Sequence, residues 1–169
     1  MARRFRGESV HKVDAKGRVS IPAPFRRVLE EGDPDWVAGA AANLVVLFGR
    51  TDKARLECFT LRAIEAIDDL IETYAPLSDE REDLTEILNA QSVYAALDET
   101  GRIVLSQRLR DEARIGDEAV FLGMGDSFHI WSPEGYAAHV AERARRRAEG
   151  PDVSTLLGRA RAQRPGGEA

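Results

Sequence analysis

Two short stretches of this 169-residue chain carry residue types that could do chemistry: Asp14-Ala15-Lys16-Gly17-Arg18 and Asp98-Glu99-Thr100-Gly101-Arg102. In each, a carboxylate stands four residues before a guanidinium, with a glycine between them. A pair of aspartates could serve as acid catalysts, but a carboxylate beside an arginine is held ionised and is poorly suited to donating a proton. Asp14 and Asp98 are therefore read as loop-structuring groups, because an Asp opening a turn accepts hydrogen bonds from backbone N–H groups further along. Gly17 and Gly101 stand where such a turn needs a positive φ. Arg18 and Arg102 have two compatible uses. Each can close a structural salt bridge, or offer planar donors to phosphate oxygens and guanine edges, with Lys16 adding charge beside the first.

Other chemistry is sparse. His11, His129 and His139 stand far apart without metal-ligand spacing, and each fits a strand or helix face. Gly-x-Ser-x-Gly, the phosphate loop and the dinucleotide fingerprint are all missing from the sequence. The single cysteine, Cys58, excludes an intramolecular disulfide and reads as a small core residue. The expectation is a non-enzymatic protein with no catalytic residue, cofactor or metal.

The elements that must position these loops form a repeat. Val13 to Pro22 has the skeleton of Leu97 to Ser106: an apolar residue, Asp-x-x-Gly-Arg, a short branched run, then a residue that starts a helix. The register continues as Phe25-Arg26 against Leu109-Arg110, Leu47-Phe48-Gly49 against Phe121-Leu122-Gly123, and Cys58-Phe59-Thr60 against Ile130-Trp131-Ser132. Self-similarity over most of the chain is the strongest clue to architecture.

Each half then reads alike. A strand (Glu8 to Asp14, or Ser92 to Asp98) enters the loop, a return strand leaves it, and a short helix follows. Two hairpins are expected: Leu44 to Gly49 with Arg55 to Phe59 across the turn Arg50-Thr51-Asp52-Lys53, and Ala119 to Leu122 with Ser127 to Trp131. Thr60, Ser78 and Ser132 are placed to cap helices. The helix after Thr60 carries Leu61, Ile64, Ile67, Leu70, Ile71 and Tyr74 at three- and four-residue spacings, which predicts one buried face. Beyond Ala148 the composition turns to Gly, Pro, Arg and Ala, which predicts a disordered tail ending in Pro165-Gly166-Gly167.

The net charge of −5 is unevenly spread. Residues 1–27 hold eight Lys/Arg against two acids, residues 28–98 five against sixteen, and residues 143–169 seven against three. A molecule with basic ends and an acidic middle can present its basic face to phosphates. Arg3, Arg4 and Arg6, set around Phe5, make the N-terminal part of that face. No apolar run approaches the roughly 20 residues of a membrane span, and Met1 to Glu8 lack a signal-peptide core. The expected location is the cytoplasm.

In order, Phe5-Arg6-Gly7, then His11 to Arg26, then Asp98 to Arg102 resemble the MraZ family of bacterial transcriptional regulators, over residues 5 to about 145. The resemblance implies a β-rich α+β fold of two tandem AbrB/SpoVT-like units forming a double-split, swapped-hairpin β-barrel. The implied boundaries are a first unit with the basic arm at 1–76, a helical spacer at 77–91, a second unit at 92–148 and the Arg-rich tail at 149–169. It further implies ring-shaped homo-oligomers that present their loops to double-stranded promoter DNA with short G-rich direct repeats. Regulation of the division and cell-wall gene cluster, at the nucleoid, would follow. On this pattern Arg18, Arg102 and Lys16 face DNA, with Arg3, Arg4 and Arg6 as a second basic surface. Two features depart from the family pattern: Thr100 stands where the first loop has lysine, and the C-terminal tail is longer and more basic. An AbrB-like antitoxin with a toxin partner, or an oligomeric scaffold that does not bind DNA, are the alternatives.

Overall fold

Strands form where branched and aromatic residues cluster, and helices open on residues that satisfy their first turn. The computed structural model describes residues 3–50 and 52–165; Met1, Ala2, Thr51 of the first hairpin turn and Gly166 to Ala169 of the tail lie outside the described residues. The first repeat supplies β1 (Glu8–Lys12), β2 (Arg18–Ser20), α1 (Ala23–Glu31), β3 (Asn43–Leu47), β4 (Arg55–Phe59) and α2 (Leu61–Ile71). Next come α3 (Asp79–Thr85) and a π-helical turn at Glu86–Ala90. The second repeat supplies β5 (Ser92–Ala96), β6 (Arg102–Val104), α4 (Gln107–Glu112), β7 (Glu118–Gly123), β8 (Ser127–Trp131) and α5 (Pro133–Glu149), and α6 (Val153–Ala162) follows. The fold class is α+β.

The expected caps are in place. Thr60 Oγ1 accepts from the Ala63 N–H at 3.1 Å, and the Ser78, Ser106 and Ser132 hydroxyls accept from Arg81, Leu109 and Gly135. Each satisfies an N–H that the first helical turn leaves without a partner.

The return strands do not pair as two local hairpins. Among the described residues, β1 and β2 form no ladder; the chain between them is closed by a bridge between Val13 and Val19 and by the Asp14 N–H donating to the Arg18 carbonyl. β1 instead runs antiparallel to β7 of the other repeat, and β2 pairs with β6, Val19 opposite Ile103. The large sheet has the order β1-β7-β8-β4-β3-β5, and β2-β6 is a separate two-stranded ribbon. The two repeats therefore interleave. Exchanging β1 with β5, β7 with β3 and β8 with β4 reproduces the sheet order, so a pseudo-twofold axis passes between β4 and β8 and through the ribbon. Among the described residues the ladders leave β1 and β5 at the ends of the sheet.

Each repeat alone would expose the core that the other completes. Phe5, Phe25, Phe121 and Phe128 meet with ring centroids 5.0–5.9 Å apart. Val19 and Ile103 seal the ribbon side at 1% exposure each, which leaves Arg18, Ser20, Arg102 and Val104 on its outer face by strand alternation. Cys58 is fully buried, and burial pushes its thiol well above its ordinary range.

Two expectations are corrected. In α2 only Ile64 and Ile71 are buried, while Leu70 and Tyr74 are 66% and 44% exposed. Leu70 lies about 100° around the helix from Ile71, and Tyr74 falls beyond the helix end. The tail at 149–165 is not disordered: Asp152 caps α6 by accepting from the Thr155 N–H, and the helix runs ten residues. A first compact unit ends at Gly135 and a second begins at Tyr136. No helix among the described residues is long and apolar enough to cross a membrane.

Candidate nucleic-acid interface

The two Asp-x-x-Gly-Arg loops are built by the same bonds. In the first, Asp14 Oδ1 accepts from the backbone N–H groups of Lys16 and Arg18 at 3.0 and 2.9 Å, and Oδ2 accepts from Arg18 Nε at 2.5 Å. In the second, Asp98 Oδ1 accepts from the N–H groups of Thr100 and Arg102 at 2.9 Å each, and Oδ2 from Arg102 Nε at 3.0 Å. The Gly17 and Gly101 N–H groups close each turn onto the Asp carbonyl, with φ of 82° and 78°, which only glycine adopts at little cost.

These bonds decide the charge state of the loops. The Arg18 N–H, ahead of the other donors, lowers the Asp14 carboxyl, and the Arg102 N–H does the same for Asp98, whose shift is large. A carboxylate bonded to several donors stays ionised. Both aspartates spend their oxygens on bonds within their own loops. Because each arginine is held through Nε, its two Nη groups remain without a protein acceptor among the described residues. The two guanidinium side chains are 37% and 35% exposed.

The fold brings the two loops onto one surface. The Leu105 N–H donates to the Gly17 carbonyl at 2.7 Å and the Ile21 N–H to the Gly101 carbonyl at 2.9 Å, so each return strand is tied to the other repeat's loop. Arg18 and Arg102 then line a single shallow cleft with Lys12, Val13, Asp14, Ser20, Asp117 and Glu118. Lys16 is exposed at the tip of its loop and has no ion-pair partner among the described residues.

Sequence reasoning missed what braces the glycines. Arg110 from α4 lies over Gly17 and donates from Nε to the Leu105 carbonyl at 3.1 Å; Arg26 from α1 lies over Gly101 and reaches the Thr100 carbonyl at 3.5 Å. Each repeat thus supports the other's loop with an arginine. The matching pairs Phe25-Arg26 and Leu109-Arg110 were the signal. Asp33, 4% exposed, was also missed: burial raises its pKa, but the bonds from the Asn43 backbone and side chain outweigh this and hold it ionised. It organises the chain between α1 and β3.

The N-terminal arginines do not join the loops. Phe5 pairs with Gly125 in the β7–β8 turn, so residues 3–6 are separated from Asp14 by the length of β1. Arg3 is bonded to Glu31, and Arg4 Nη1 lies 3.1 Å from Asp126. Arg6 is exposed, and Arg27 joins the three arginines around a second shallow cleft beside α1. Among the described residues no group of His, Cys, Asp and Glu could hold a metal ion.

With this geometry in hand, similarity to known proteins becomes informative. A family described as "MraZ protein, putative antitoxin-like" matches residues 88–156. A protein of Ruegeria pomeroyi named "Transcriptional regulator MraZ" is 51% identical over 136 residues, 80% of this chain and 81% of the relative. Proteins of the same name from Ruegeria sp. strain TM1040 and Xanthobacter autotrophicus are 49% and 39% identical, covering 90% and 85% of this chain and 92% and 86% of theirs.

Proposed function

The chain belongs to the MraZ family, and we propose that it is a sequence-specific DNA-binding transcriptional regulator whose reading surface is the β2–β6 ribbon with its two flanking loops. The observation that supports this reading is the shared cleft: Arg18 and Arg102 from different repeats face one surface, each held through Nε by the aspartate of its own loop. A carboxylate presented to phosphates would repel them. One whose oxygens are taken up by loop N–H groups and an Nε instead fixes the guanidinium so that its remaining donors meet DNA.

Arg18 and Arg102 contact bases or phosphates, Lys16 adds a phosphate contact at the first loop, and Asp14, Gly17, Asp98 and Gly101 shape the loops. Arg3, Arg4 and Arg6 form a separate basic surface at the far end of β1, and Arg3 and Arg4 are partly neutralised by Glu31 and Asp126. Residues 1–76 and 92–148, with the helical spacer 77–91, act as tandem AbrB-like units.

One chain has two loops and a net charge of −5, so useful affinity is expected from several chains engaging repeated sites, where linkage raises avidity roughly 10²–10⁴-fold. The assembly is a homo-oligomeric ring. Its target is a promoter with short G-rich direct repeats, that of the division and cell-wall gene cluster, and its place is the nucleoid. A promoter fragment carrying the repeats should be retarded in a gel at moderate salt and released by unlabelled fragment but not by a scrambled competitor. Absence of retardation would support the scaffold reading. Recovery of a stable small partner from a pull-down would support the antitoxin reading that the family's description suggests.

A further inference from the structure

The two return segments share one inward pattern and differ on the outside. Val19, Ile21, Ile103 and Leu105 point inward and are no more than 2% exposed. On the outer face Arg18 stands directly opposite Val104, and Ser20 opposite Arg102. Two residues past the motif arginine, the first repeat therefore has a serine and the second a valine. Val104 is 60% exposed. A polar residue at this place leaves the core untouched, as Ser20 shows, so folding does not account for the valine.

The surface around Val104 suits one partner edge in particular. A two-stranded ribbon is narrow enough to enter the major groove of B-form DNA. There guanine offers O6 and N7 to an arginine, and thymine offers its 5-methyl group to an apolar side chain. Residues directly opposite in antiparallel strands have Cβ atoms about 4.5–5.5 Å apart, against a rise of about 3.4 Å between successive bases of one strand. Val104 thus stands beside the base next to the one that Arg18 meets. Its branched side chain is stiff, so its methyl groups reach that edge with little rotamer freedom to lose. Ser20, in the equivalent place beside Arg102, has a hydroxyl that can bond to any base pair.

We propose that the β2–β6 ribbon enters the major groove and that Val104 packs on the 5-methyl group of a thymine next to a guanine read by Arg18. Identical residues at the two places would let the ribbon bind equally in the two orientations related by its pseudo-twofold axis. Ser20 and Val104 make the base-facing halves unequal, so Val104 also sets the direction in which one chain lies on a direct repeat. This inference rests on the DNA-binding reading above and adds the base that the second repeat recognises.

The test compares the repeat-bearing promoter fragment with the same fragment made with deoxyuridine in place of every thymine, which removes the 5-methyl groups and keeps the base pairing. Full-length parent and Val104→Ser are titrated against both by fluorescence anisotropy, with sedimentation velocity and melting temperature as controls. The parent should bind the deoxyuridine fragment about fourfold more weakly for each chain engaged, the worth of roughly one buried methyl group. Val104→Ser should bind both fragments alike, close to the parent's affinity for the deoxyuridine one, with parental assembly size and melting temperature. Equal affinity of the parent for the two fragments would overturn the contact while leaving the DNA reading intact. The parent's preference for thymine retained in Val104→Ser would overturn it in favour of an effect on DNA shape. A smaller assembly or a lower melting temperature in Val104→Ser would overturn it in favour of a surface packed against protein. A parent that binds neither fragment better than a scrambled duplex would overturn the DNA reading and this contact together.

Discussion

The first and second motif loops share backbone, glycine and Asp–Arg geometry, yet differ at the two exposed positions between Asp and Gly, Ala15-Lys16 in one and Glu99-Thr100 in the other. Lys16 leaves an unpaired ammonium at the tip of the first loop, whereas Thr100 turns its hydroxyl inward to Asp98 Oδ1 at 2.8 Å. The same scaffold is thus tuned for charge in one copy and for rigidity in the other. Duplication in a single chain permits this, because the two positions no longer have to be the same residue. The pseudo-twofold axis shows the same freedom. Glu57 of β4 stands directly opposite its repeat counterpart His129 of β8. Identical carboxylates there would face one another; the actual pair is complementary, with Glu57 also 3.3 Å from Arg55 and 3.5 Å from Arg50.

The comparison breaks most sharply at the glycines. A Cβ on Gly17 would overlap the Leu105 carbonyl oxygen, which is backbone just past the end of β6, while a Cβ on Gly101 would meet the flexible end of Arg26. Gly17→Ala should cost roughly 2–5 kcal/mol, combining positive-φ strain with a forced backbone shift. Gly101→Ala should cost only about 1–2 kcal/mol, the strain alone. Urea denaturation of both variants checks this, and equal losses would mean that the loops are braced alike.

Next in size are the arginines. Arg18→Ala and Arg102→Ala should each lose roughly 1–3 kcal/mol of DNA binding if the guanidinium reads a base, with melting temperature nearly unchanged because ion pairs this exposed contribute little to stability. The loss should be larger for Arg18, whose neighbour Lys16 adds charge, and anisotropy titrations against the repeat-bearing fragment would rank them.

Exchanging the distinguishing residue should transfer the property. Lys16→Thr should flatten the dependence of log affinity on log salt by about 0.9 per loop engaged, and Thr100→Lys should steepen it by the same amount. If both leave the slope unchanged, position three of the loop does not meet phosphate.

The smallest effect is in the titration of the carboxylates. Both lie below their ordinary value of 3.8 in the folded protein, so their contribution to stability is complete above about pH 4 and is lost as the pH falls through the lowered values. Asp98 has the additional Thr100 hydroxyl and should protonate at lower pH than Asp14. Carboxyl NMR shifts followed downward from pH 5 would give the order, and Thr100→Val should bring the two closer.

Much of this was legible in the sequence, for reasons that are local. The caps at Thr60, Ser78, Ser106 and Ser132, the hairpins β3–β4 and β7–β8, and the Asp–N–H bonds all join residues close in the chain, where spacing and side-chain chemistry suffice. Pairing of the three-residue strands β2 and β6 was not legible from local pattern, because strands so short take their partner from the rest of the core. The arginine braces were hidden for the same reason: Arg26 and Thr100 are 74 residues apart. Helix α6 could have been found. Asp152 followed by Val153, Leu156 and Leu157 is a cap and an apolar stripe, but the surrounding Gly, Pro and Arg outweighed it.

The most direct test of the central claim, that the ribbon bearing Arg18 and Arg102 is the DNA surface, is binding of the Arg18→Ala/Arg102→Ala double variant to the repeat-bearing promoter fragment at several salt concentrations. Sedimentation and circular dichroism would serve as controls. The account predicts a folded protein of parental assembly size that binds the repeats no better than a scrambled duplex. Parental affinity and parental preference for the repeats in that variant would contradict it, and would move the DNA surface to the cleft of Arg3, Arg4, Arg6 and Arg27.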